Sequence, residues 1–181
     1  MKLLVLDRDG VINEDADEFI KTPDEWQPIP GSLEAIALLN RSGYRVVIAT
    51  NQSGLARGLL DLQTLHEIHR KMHHQLEKVG GHIDGIFFCP HGPNDNCPCR
   101  KPKPGLLVQA GERFFLSPSD MLVVGDSLRD LEAAQSIGAN AILVLTGKGG
   151  STRELLGERT VPIYRNLSEV AKSLINKSLV F

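Results

Sequence analysis

The sequence predicts an α/β fold with a doubly wound, Rossmann-like parallel sheet that carries helices on both faces. Short apolar runs alternate strictly with longer amphipathic segments, which is the pattern of parallel strands and their crossover helices. The 181 residues are 41% hydrophobic, which is enough to form one full core. Because no repeat, low-complexity tract or linker divides the chain, we expect a single domain over residues 1–181.

Five apolar runs predict buried strands, since each is short and bounded by charged residues or turn residues. They are Leu3–Leu6, Arg45–Ala49, Ile83–Phe88, Met121–Val124 and Ala141–Leu145, with a weaker edge strand at Val161–Tyr164. Amphipathic patterns predict helices at Ser32–Asn40, from the capping residue Asp61 to Gly80, and at Gly105–Phe115, Leu128–Ile137 and Ser168–Asn176. In such a sheet the functional groups are expected at the carboxyl ends of the strands.

Charge and hydropathy argue against several classes of partner. The chain has 20 basic and 22 acidic residues and a net charge of −2, so it has no strong field to attract nucleic acid. The opening segment MKLLVLDRDG lacks the features of a signal peptide, and no apolar stretch approaches the ~20 residues that span a bilayer. We therefore expect a cytoplasmic protein with no nucleic-acid or membrane partner. Separately, we expect a monomer.

Two carboxylates follow the first strand. Asp7 and Asp9 are two residues apart, and in an extended segment such residues share a face, so both can project into one cleft. One carboxylate can serve as metal ligand and nucleophile while the other transfers a proton. Gly10 then allows a sharp turn. Taken alone, this pair is also typical of a simple turn at a strand end.

Further polar residues follow the other strands. Thr50 and Asn51 follow the second strand, Lys101 leaves the loop after the third, and Asp126 follows the fourth. Singly, each is an ordinary turn or helix-cap residue. As a set, Asp7 and Asp126 offer the oxygen ligands that Mg²⁺ prefers, while Thr50 and Lys101 offer a donor and a positive charge to a phosphoryl group. The set predicts magnesium-dependent phosphoryl transfer.

Four motifs, DRDGV, ATN, CRKP and GDSLRD, follow the expected strands in this order and resemble those of the haloacid dehalogenase-like phosphatases. The resemblance covers most of the chain. It implies that Asp7 is the nucleophile and Asp9 the general acid and base. It also implies that Asp7, Asp126 and the Asp9 carbonyl hold Mg²⁺, and that Thr50 and Lys101 steady the phosphoryl group.

One loop contains every cysteine of the chain. Cys89, His91, Cys97 and Cys99 supply four soft or borderline ligands, enough to close a tetrahedral Zn²⁺ site in the loop 89–99. Clustered cysteines in a cytosolic protein indicate a metal more than a disulfide, and an odd number cannot pair completely. Because protein ligands fill all four positions, we expect the zinc to be structural. It would fix the backbone that leads to Lys101.

The intervals between the motifs leave no room for a separate cap domain, so we expect an open site. The stretch TNQSGLARG at 50–58 resembles family members that remove the 7-phosphate of D-glycero-D-manno-heptose 1,7-bisphosphate for lipopolysaccharide core synthesis. Histidinol phosphate is the alternative substrate, because histidinol-phosphate phosphatases share the zinc loop. Those enzymes usually carry an aspartate where this chain has Ser53, which favours the heptose substrate.

The resemblance also implies a set of substrate contacts on three loops. They are Arg8, Asp15, Ala16, Asp17, Glu18, Asn51, Gln52, Ser53 and Arg100. Arg100 suits a second phosphate because its planar fork binds such oxygens bidentately; a surface arginine without a ligand is the alternative. The 15–18 loop lacks a tyrosine that is frequent in the family, and Ser127 stands where a lysine is frequent. These departures leave the sugar contacts and the anomer open.

Other features have ordinary explanations. The loop 147–152 lacks the spacing of a phosphate-binding loop and predicts a turn, and Trp26 is expected to pack in the core or under the substrate loop. Asp130 either supports the site from behind or lies on a helix surface. A cluster of histidines on the long helix predicts a solvated face rather than a metal site: His66, His69, His73 and His74.

Two rival functions share parts of this pattern. A phospho-accepting signalling domain also combines a doubly wound sheet with acidic residues, a threonine and a lysine. Asp9 favours the phosphatase, since it provides the base that removes the phosphoryl group from Asp7. A nucleic-acid 3'-phosphatase with a zinc site also resembles the family, but the near-neutral charge balance argues against it.

Overall fold

A parallel sheet with helices on both faces forms the protein in the computed structural model, which describes residues 2–177. The strands are β1 (Leu3–Leu6), β2 (Arg45–Asn51), β3 (Gly85–Cys89), β4 (Met121–Gly125), β5 (Asn140–Val144) and β6 (Ile163–Tyr164). The helices are α1 (Ser32–Arg41), α2 (Leu62–Lys78), α3 (Gly105–Phe114), α4 (Leu128–Ile137), α5 (Gly149–Glu154) and α6 (Leu167–Ile175). A short 3-10 turn at Pro118–Asp120 precedes β4.

The predicted fold class is confirmed, and every predicted element is present with bounds within two residues. The sequence missed α5, because we expected a turn at 147–152. Two glycines begin this helix, and glycine is a poor helix former. A Cβ atom at Gly149 would lie 1.8 Å from the Val144 carbonyl oxygen, so close backbone packing requires glycine there. Tertiary contact therefore overrides the local propensity.

β1 lies at the centre of the sheet, whose strand order is β3-β2-β1-β4-β5-β6. All pairings are parallel, and Leu6 at the end of β1 aligns with Ile48 on one side and Val124 on the other. The chain builds outward from β1 in one direction and then in the other, which creates a switch point at the carboxyl edge. Asp7 therefore emerges between the ends of β2 and β4.

The core lies on both faces of the sheet. The side chains of β1 alternate between them: Leu4 and Leu6 pack in the cluster under α1, α2 and α6, whereas Leu3 and Val5 pack under α3 and α4. All four are fully buried, as expected for a central parallel strand. Trp26 is buried in the first cluster, which confirms its predicted packing role.

The segments between the motifs contain short loops and helices. Between β1 and β2 the chain forms the loop 10–31 and α1, and between β2 and β3 it forms α2. Within residues 2–177, therefore, no separate cap domain covers the carboxyl edge of the sheet. In the same described region, none of the helices is long and apolar enough to cross a membrane.

Candidate active site

Asp7 and Asp9 follow β1 and line the same cavity at the carboxyl edge of the sheet. The backbone N–H of Asp7 donates to the Val124 carbonyl at 3.0 Å, which ties the residue to β4. Its Oδ1 accepts a hydrogen bond from the Arg8 backbone N–H at 2.7 Å and lies 3.1 Å from the Lys101 Nζ. The nucleophile predicted from the sequence is thus held at a fixed position beside a positive charge.

Three side chains hold the Asp9 carboxylate. The Arg8 Nη2 donates to Asp9 Oδ1 at 2.8 Å and to Oδ2 at 3.0 Å. The side-chain amides of Asn13 and Gln52 donate to Oδ1 at 2.9 Å and to Oδ2 at 3.0 Å. Burial raises the pKa of Asp9, but the charge of Arg8 and these hydrogen bonds outweigh it and hold the pKa below its usual range.

Lys101 is buried at the back of the cavity, with its side chain 3% exposed. Its Nζ lies 2.5 Å from Asp130 Oδ1 and donates to the Ala49 carbonyl at 2.7 Å, in addition to its contact with Asp7. Burial lowers the pKa of Lys101, but Asp130 and Asp7 outweigh it and raise the pKa above its usual range. Lys101 therefore supplies a permanent positive charge to the cavity.

The end of β2 positions Lys101 through its backbone. The Asn51 Oδ1 accepts from the Lys101 backbone N–H and its Nδ2 donates to the Lys101 carbonyl, both at 3.0 Å. Thr50 is fully buried, and its Oγ1 accepts from the Gln52 Nε2 at 2.9 Å. Gln52, directly after the second motif, therefore bridges Thr50 and Asp9.

Asp126 lies between two glycines that leave room for its carboxylate. A Cβ atom at Gly10 would lie 2.0 Å from Asp126 Oδ2, and one at Gly147 would lie 2.2 Å from the same oxygen. The backbone N–H of Lys148 donates to this oxygen at 2.7 Å. The two glycines thus form a cradle at the position where the sequence predicts a magnesium ligand.

The carboxylates fit a hard divalent cation. Asp7, Asp126 and Asp130 each offer an oxygen within 4.8 Å of the others. Asp130 already binds Lys101 and caps α4 through Ser127, so Asp7 and Asp126 are the carboxylates left for Mg²⁺. Burial raises the pKa of Asp7 to about 8 and that of Asp126 to about 6. A cation between the two would favour their ionised forms.

The cavity has a volume of about 320 Å³, within the range of small-molecule sites. Most of the predicted substrate contacts line it, namely Asp15, Ala16, Asp17, Asn51, Gln52, Ser53 and Arg100. Glu18 is exposed and does not line the cavity, because Phe19 and Ile20 turn inward at this point of the loop.

The Arg8 side chain is fully buried behind Asp9 and does not line the cavity, so the predicted contact of this residue with substrate could involve only its backbone. Its alternation with Asp7 and Asp9 along the extended segment turns it toward the interior. There its Nη1 lies 3.3 Å from the Nε2 of His69 on α2. His69 is itself buried, so the predicted solvated face of the histidine cluster is wrong for this residue.

The sequence reasoning missed three basic residues that line the cavity: Arg57, Arg129 and Lys148. Burial and the charges of Arg129 and Arg57 lower the pKa of Arg100, and all three arginines line the same cavity. The Lys148 Nζ lies 3.1 Å from Asp15 Oδ2. Arg57 and Arg129 lie inside the motif stretches TNQSGLARG and GDSLRD, so a reading of basic residues within the motifs would have found them.

The cysteine loop has the geometry of a tetrahedral metal site. Cys97 Sγ lies 3.6 Å from Cys89 Sγ and 3.5 Å from Cys99 Sγ. The His91 Nδ1 lies 3.6 Å from Cys89 Sγ and 3.3 Å from Cys99 Sγ. A tetrahedral Zn²⁺ with Zn–S near 2.3 Å and Zn–N near 2.0 Å separates its ligands by roughly 3.5–3.8 Å. The four donors therefore fit zinc.

This loop also determines where Arg100 and Lys101 lie. Burial raises the pKa of the Cys89 thiol to about 12, so a dication is needed to hold all three cysteines as thiolates at neutral pH. Cys99 directly precedes Arg100, whose Nη1 donates to the His91 carbonyl at 3.3 Å. A Cβ atom at Gly105 would lie 2.5 Å from the Pro98 carbonyl oxygen, so the loop folds tightly onto the start of α3.

Comparisons with known proteins agree with the motifs. A family model described as HAD-hydrolase-like matches residues 98–170. The D-glycero-beta-D-manno-heptose-1,7-bisphosphate 7-phosphatase of Bordetella bronchiseptica is 50% identical over 98% of this chain and 100% of its own. The enzyme of the same name from Pseudomonas putida is 49% identical over 97% of this chain and 100% of its own.

A solved structure is equally similar. The D,D-heptose 1,7-bisphosphate phosphatase from B. bronchiseptica, complexed with magnesium and phosphate, superposes with a TM-score of 0.95 at 50% identity. The match covers 98% of this chain and 99% of that one. Sequence and fold thus agree over almost the whole length, and the chain belongs to the haloacid dehalogenase-like phosphatases.

Proposed function

We propose that this protein is a magnesium-dependent phosphomonoesterase that removes the 7-phosphate of D-glycero-D-manno-heptose 1,7-bisphosphate. The observation that carries the proposal is the 50% identity, over 98% of this chain, to a relative named for this activity. That relative has been solved with magnesium and phosphate, which are the ion and the product that the proposal requires. The same similarity favours the heptose substrate over histidinol phosphate.

In the first half of the proposed reaction, a carboxylate oxygen of Asp7 attacks phosphorus and the bond from phosphorus to the sugar oxygen breaks. Asp9 gives its proton to that sugar oxygen, and an aspartyl phosphate remains on Asp7. The incoming phosphoryl group is negatively charged, and its approach raises the pKa of Asp9 toward the protonated form. Lys101 and Thr50 hold the phosphoryl oxygens during the transfer.

In the second half, Asp9 accepts a proton from a water molecule, and the water oxygen attacks phosphorus. The bond from phosphorus to Asp7 breaks, which releases inorganic phosphate and restores the carboxylate. The hydrogen bonds that keep Asp9 ionised suit it to this role as a base. Asp7, Asp126 and the Asp9 carbonyl would hold Mg²⁺, which neutralises charge on the phosphoryl group when it is bound.

Three arginines support recognition of a second phosphate. Arg57, Arg100 and Arg129 lie together at the cavity, and guanidinium groups bind phosphate oxygens bidentately. Asp15 and Asp17 contribute acidic groups to the lining of the same cavity. Their carboxylates can accept hydrogen bonds from sugar hydroxyls. A substrate with two phosphates joined by a polyhydroxylated chain matches this distribution of charge.

The structural role of zinc and the monomeric state belong to the same proposal. Four protein ligands would leave no open position on Zn²⁺, so it would order the loop before Lys101 rather than bind substrate. Every residue invoked in the reaction comes from one chain, so no second copy is needed to complete the site.

The test compares kcat/KM for three phosphates: heptose 1,7-bisphosphate, heptose 7-phosphate and histidinol phosphate. We expect the bisphosphate to be preferred over the 7-phosphate by roughly tenfold or more, since charge-assisted hydrogen bonds to the second phosphate contribute about 1.5–3 kcal/mol. A preference for histidinol phosphate would overturn the substrate. Release of only one equivalent of the dephosphorylated sugar per chain, with the phosphoryl group retained on the protein, would instead indicate a phospho-accepting signalling domain.

A further inference from the structure

Arg8 is a fully buried cation with two partners. On one side its guanidinium binds the Asp9 carboxylate through Nε at 3.0 Å and through Nη2 at 2.8 Å and 3.0 Å. On the other side its Nη1 lies 3.3 Å from the Nε2 of His69, which α2 carries into the interior. Neither side chain lines the cavity, so the pair lies directly behind the residue that is proposed to transfer the proton.

The chemistry of the two side chains determines the direction of their hydrogen bond. A guanidinium group has only donors and stays protonated at all relevant pH values, so the Arg8 Nη1 must donate. His69 Nε2 must therefore accept, which requires the neutral ring with its proton on Nδ1. Burial and the charge of Arg8 lower the pKa of His69 to about 3, so the ring is neutral at physiological pH.

We propose that His69 is a positioning residue for the proton transfer, because it orients the Arg8 guanidinium and through it the Asp9 carboxylate. The inference rests on the proposed role of Asp9 as general acid and base. The guanidinium is planar, so a hydrogen bond at Nη1 limits rotation of the face that binds Asp9. Without an acceptor at Nε2, a buried donor of Arg8 would be left unpaired, and the group would turn toward another partner.

The position of Asp9 matters because a general acid or base must lie within hydrogen-bond reach of the atom that it serves. Asn13 and Gln52 also hold the carboxylate, but each gives it a single hydrogen bond, whereas Arg8 binds both of its oxygens. The Arg8 contact therefore sets the plane of the carboxylate. A site on α2, outside the four motifs, thereby determines how one of the motif residues is oriented.

The first test uses three variants and a generic aryl phosphate, p-nitrophenyl phosphate, as the probe. His69→Leu fills the space but removes the acceptor, and His69→Gln restores an acceptor oxygen. His74→Leu changes an exposed histidine on the same helix and is the matched control. For His69→Leu we expect kcat to fall about tenfold or more. The fall should not exceed the roughly 10²–10⁴-fold that general acid and base catalysis contributes as a whole. KM should stay within about twofold.

Recovery of kcat in His69→Gln distinguishes a positioning role of His69 from an effect on protein stability alone. We expect His69→Gln to regain most of the lost kcat and His74→Leu to match the wild type, with all rates referred to the folded fraction measured by circular dichroism. An unchanged kcat in folded His69→Leu would refute the proposal. So would equal kcat values in the Leu and Gln variants, since that result would mean that the acceptor has no role.

A measurement on the wild-type protein avoids dependence on the folding of any variant. ¹⁵N-¹H correlation spectra of the histidine rings should show His69 as the neutral Nδ1–H form from pH 8 down to about pH 5. The Nε2–H form would overturn the proposal, because Nε2 could then not accept from Arg8. The aryl phosphate also keeps the outcome separate from the substrate proposal: a failed heptose preference would leave these kcat ratios unaffected.

Discussion

The Lys101 Nζ lies 2.5 Å from the Asp130 Oδ1 in the interior of the protein. This ion pair joins the segment after the zinc loop to the start of α4, where Asp130 also accepts hydrogen bonds from the backbone N–H and the hydroxyl of Ser127. Asp130 therefore stabilises the helix start and fixes the lysine that faces Asp7. Of the two interpretations that the sequence left open for Asp130, the buried supporting role is confirmed.

Asp130→Asn should reduce both stability and turnover. The amide keeps the shape of the carboxylate but removes the negative charge, and leaving one ion of a buried pair uncompensated costs about 3–5 kcal/mol. Lys101 retains Asp7 and the Ala49 carbonyl as partners. We therefore expect the free energy of unfolding to fall by an amount near the lower end of this range, as measured by urea unfolding. Asp24→Asn, at an exposed position, is the control and should change neither quantity. A wild-type urea midpoint for Asp130→Asn would contradict the role of the pair.

Gly10→Ala should impair magnesium binding more than it impairs folding. The φ angle of Gly10 is 83°, and a Cβ atom there would lie 2.0 Å from Asp126 Oδ2, so an alanine would push the proposed ligand aside. Gly43 has a φ angle of 84° with nothing within 4 Å of its Cβ position, which makes Gly43→Ala a closely matched control.

Both alanine variants carry the cost of a left-handed backbone, about 1–2 kcal/mol. Only Gly10→Ala should raise the Mg²⁺ concentration for half-maximal activity, by roughly tenfold or more, since one ligand of a weakly held ion is displaced. Equal magnesium dependence in the two variants would show that Asp126 does not bind the ion.

Asp7→Asn should abolish turnover with the fold retained, because an amide cannot take the place of the attacking carboxylate. Phosphate release and circular dichroism measure the two properties. Near-normal activity would refute the assignment of Asp7 as the nucleophile.

The same variant has a consequence for stability. Burial raises the pKa of Asp7 from 3.8 to about 8, so folding favours its protonated form. That contribution is complete below about pH 4 and is lost as the pH rises through 8. In EDTA, therefore, the free energy of unfolding of Asp7→Asn should gain on that of the wild type between pH 5 and pH 8. Urea unfolding at both pH values measures this difference, and parallel curves would contradict it. Added Mg²⁺ should stabilise the wild type more than the variant.

His91→Asn should lower the zinc content and the thermal stability. Removal of one ligand leaves three thiols that no longer form a closed tetrahedral site. We expect less than one zinc per chain by elemental analysis, a lower Tm and a lower kcat, because the backbone before Lys101 is no longer fixed. His74→Asn, at an exposed position on α2, is the control. If zinc removal left Tm and activity unchanged, the structural role of the loop would be wrong.

Predictions from the sequence succeeded where one local pattern was sufficient. The alternation of apolar runs and amphipathic segments gave the strands and five of the six helices, and the polar residues at strand ends gave the motif residues that meet at one cavity. The zinc loop was found for the same reason, since its four ligands lie within 11 residues of one another, at 89–99. Such features depend on neighbours in the chain.

The misses required contacts between distant segments. The helix α5 begins with two glycines, the first of which, Gly149, packs against β5. The cavity also brings together Arg57 and Arg100 from two separate loops and Arg129 from the start of α4. The family resemblance implies contacts along 15–18, including Glu18, yet the loop turns Phe19 and Ile20 toward the cavity instead.

The sequence by itself determined that Asp7 and Asp9 share a face at the end of a buried strand, because side chains alternate along an extended backbone. The same alternation turns Arg8 to the opposite face, but it does not say what lies there. Only the tertiary structure placed His69 of α2 against that guanidinium, since the two residues are 61 positions apart in the sequence. Sequence periodicity fixes the direction of a side chain within its own element, whereas its partner is decided by how the elements pack.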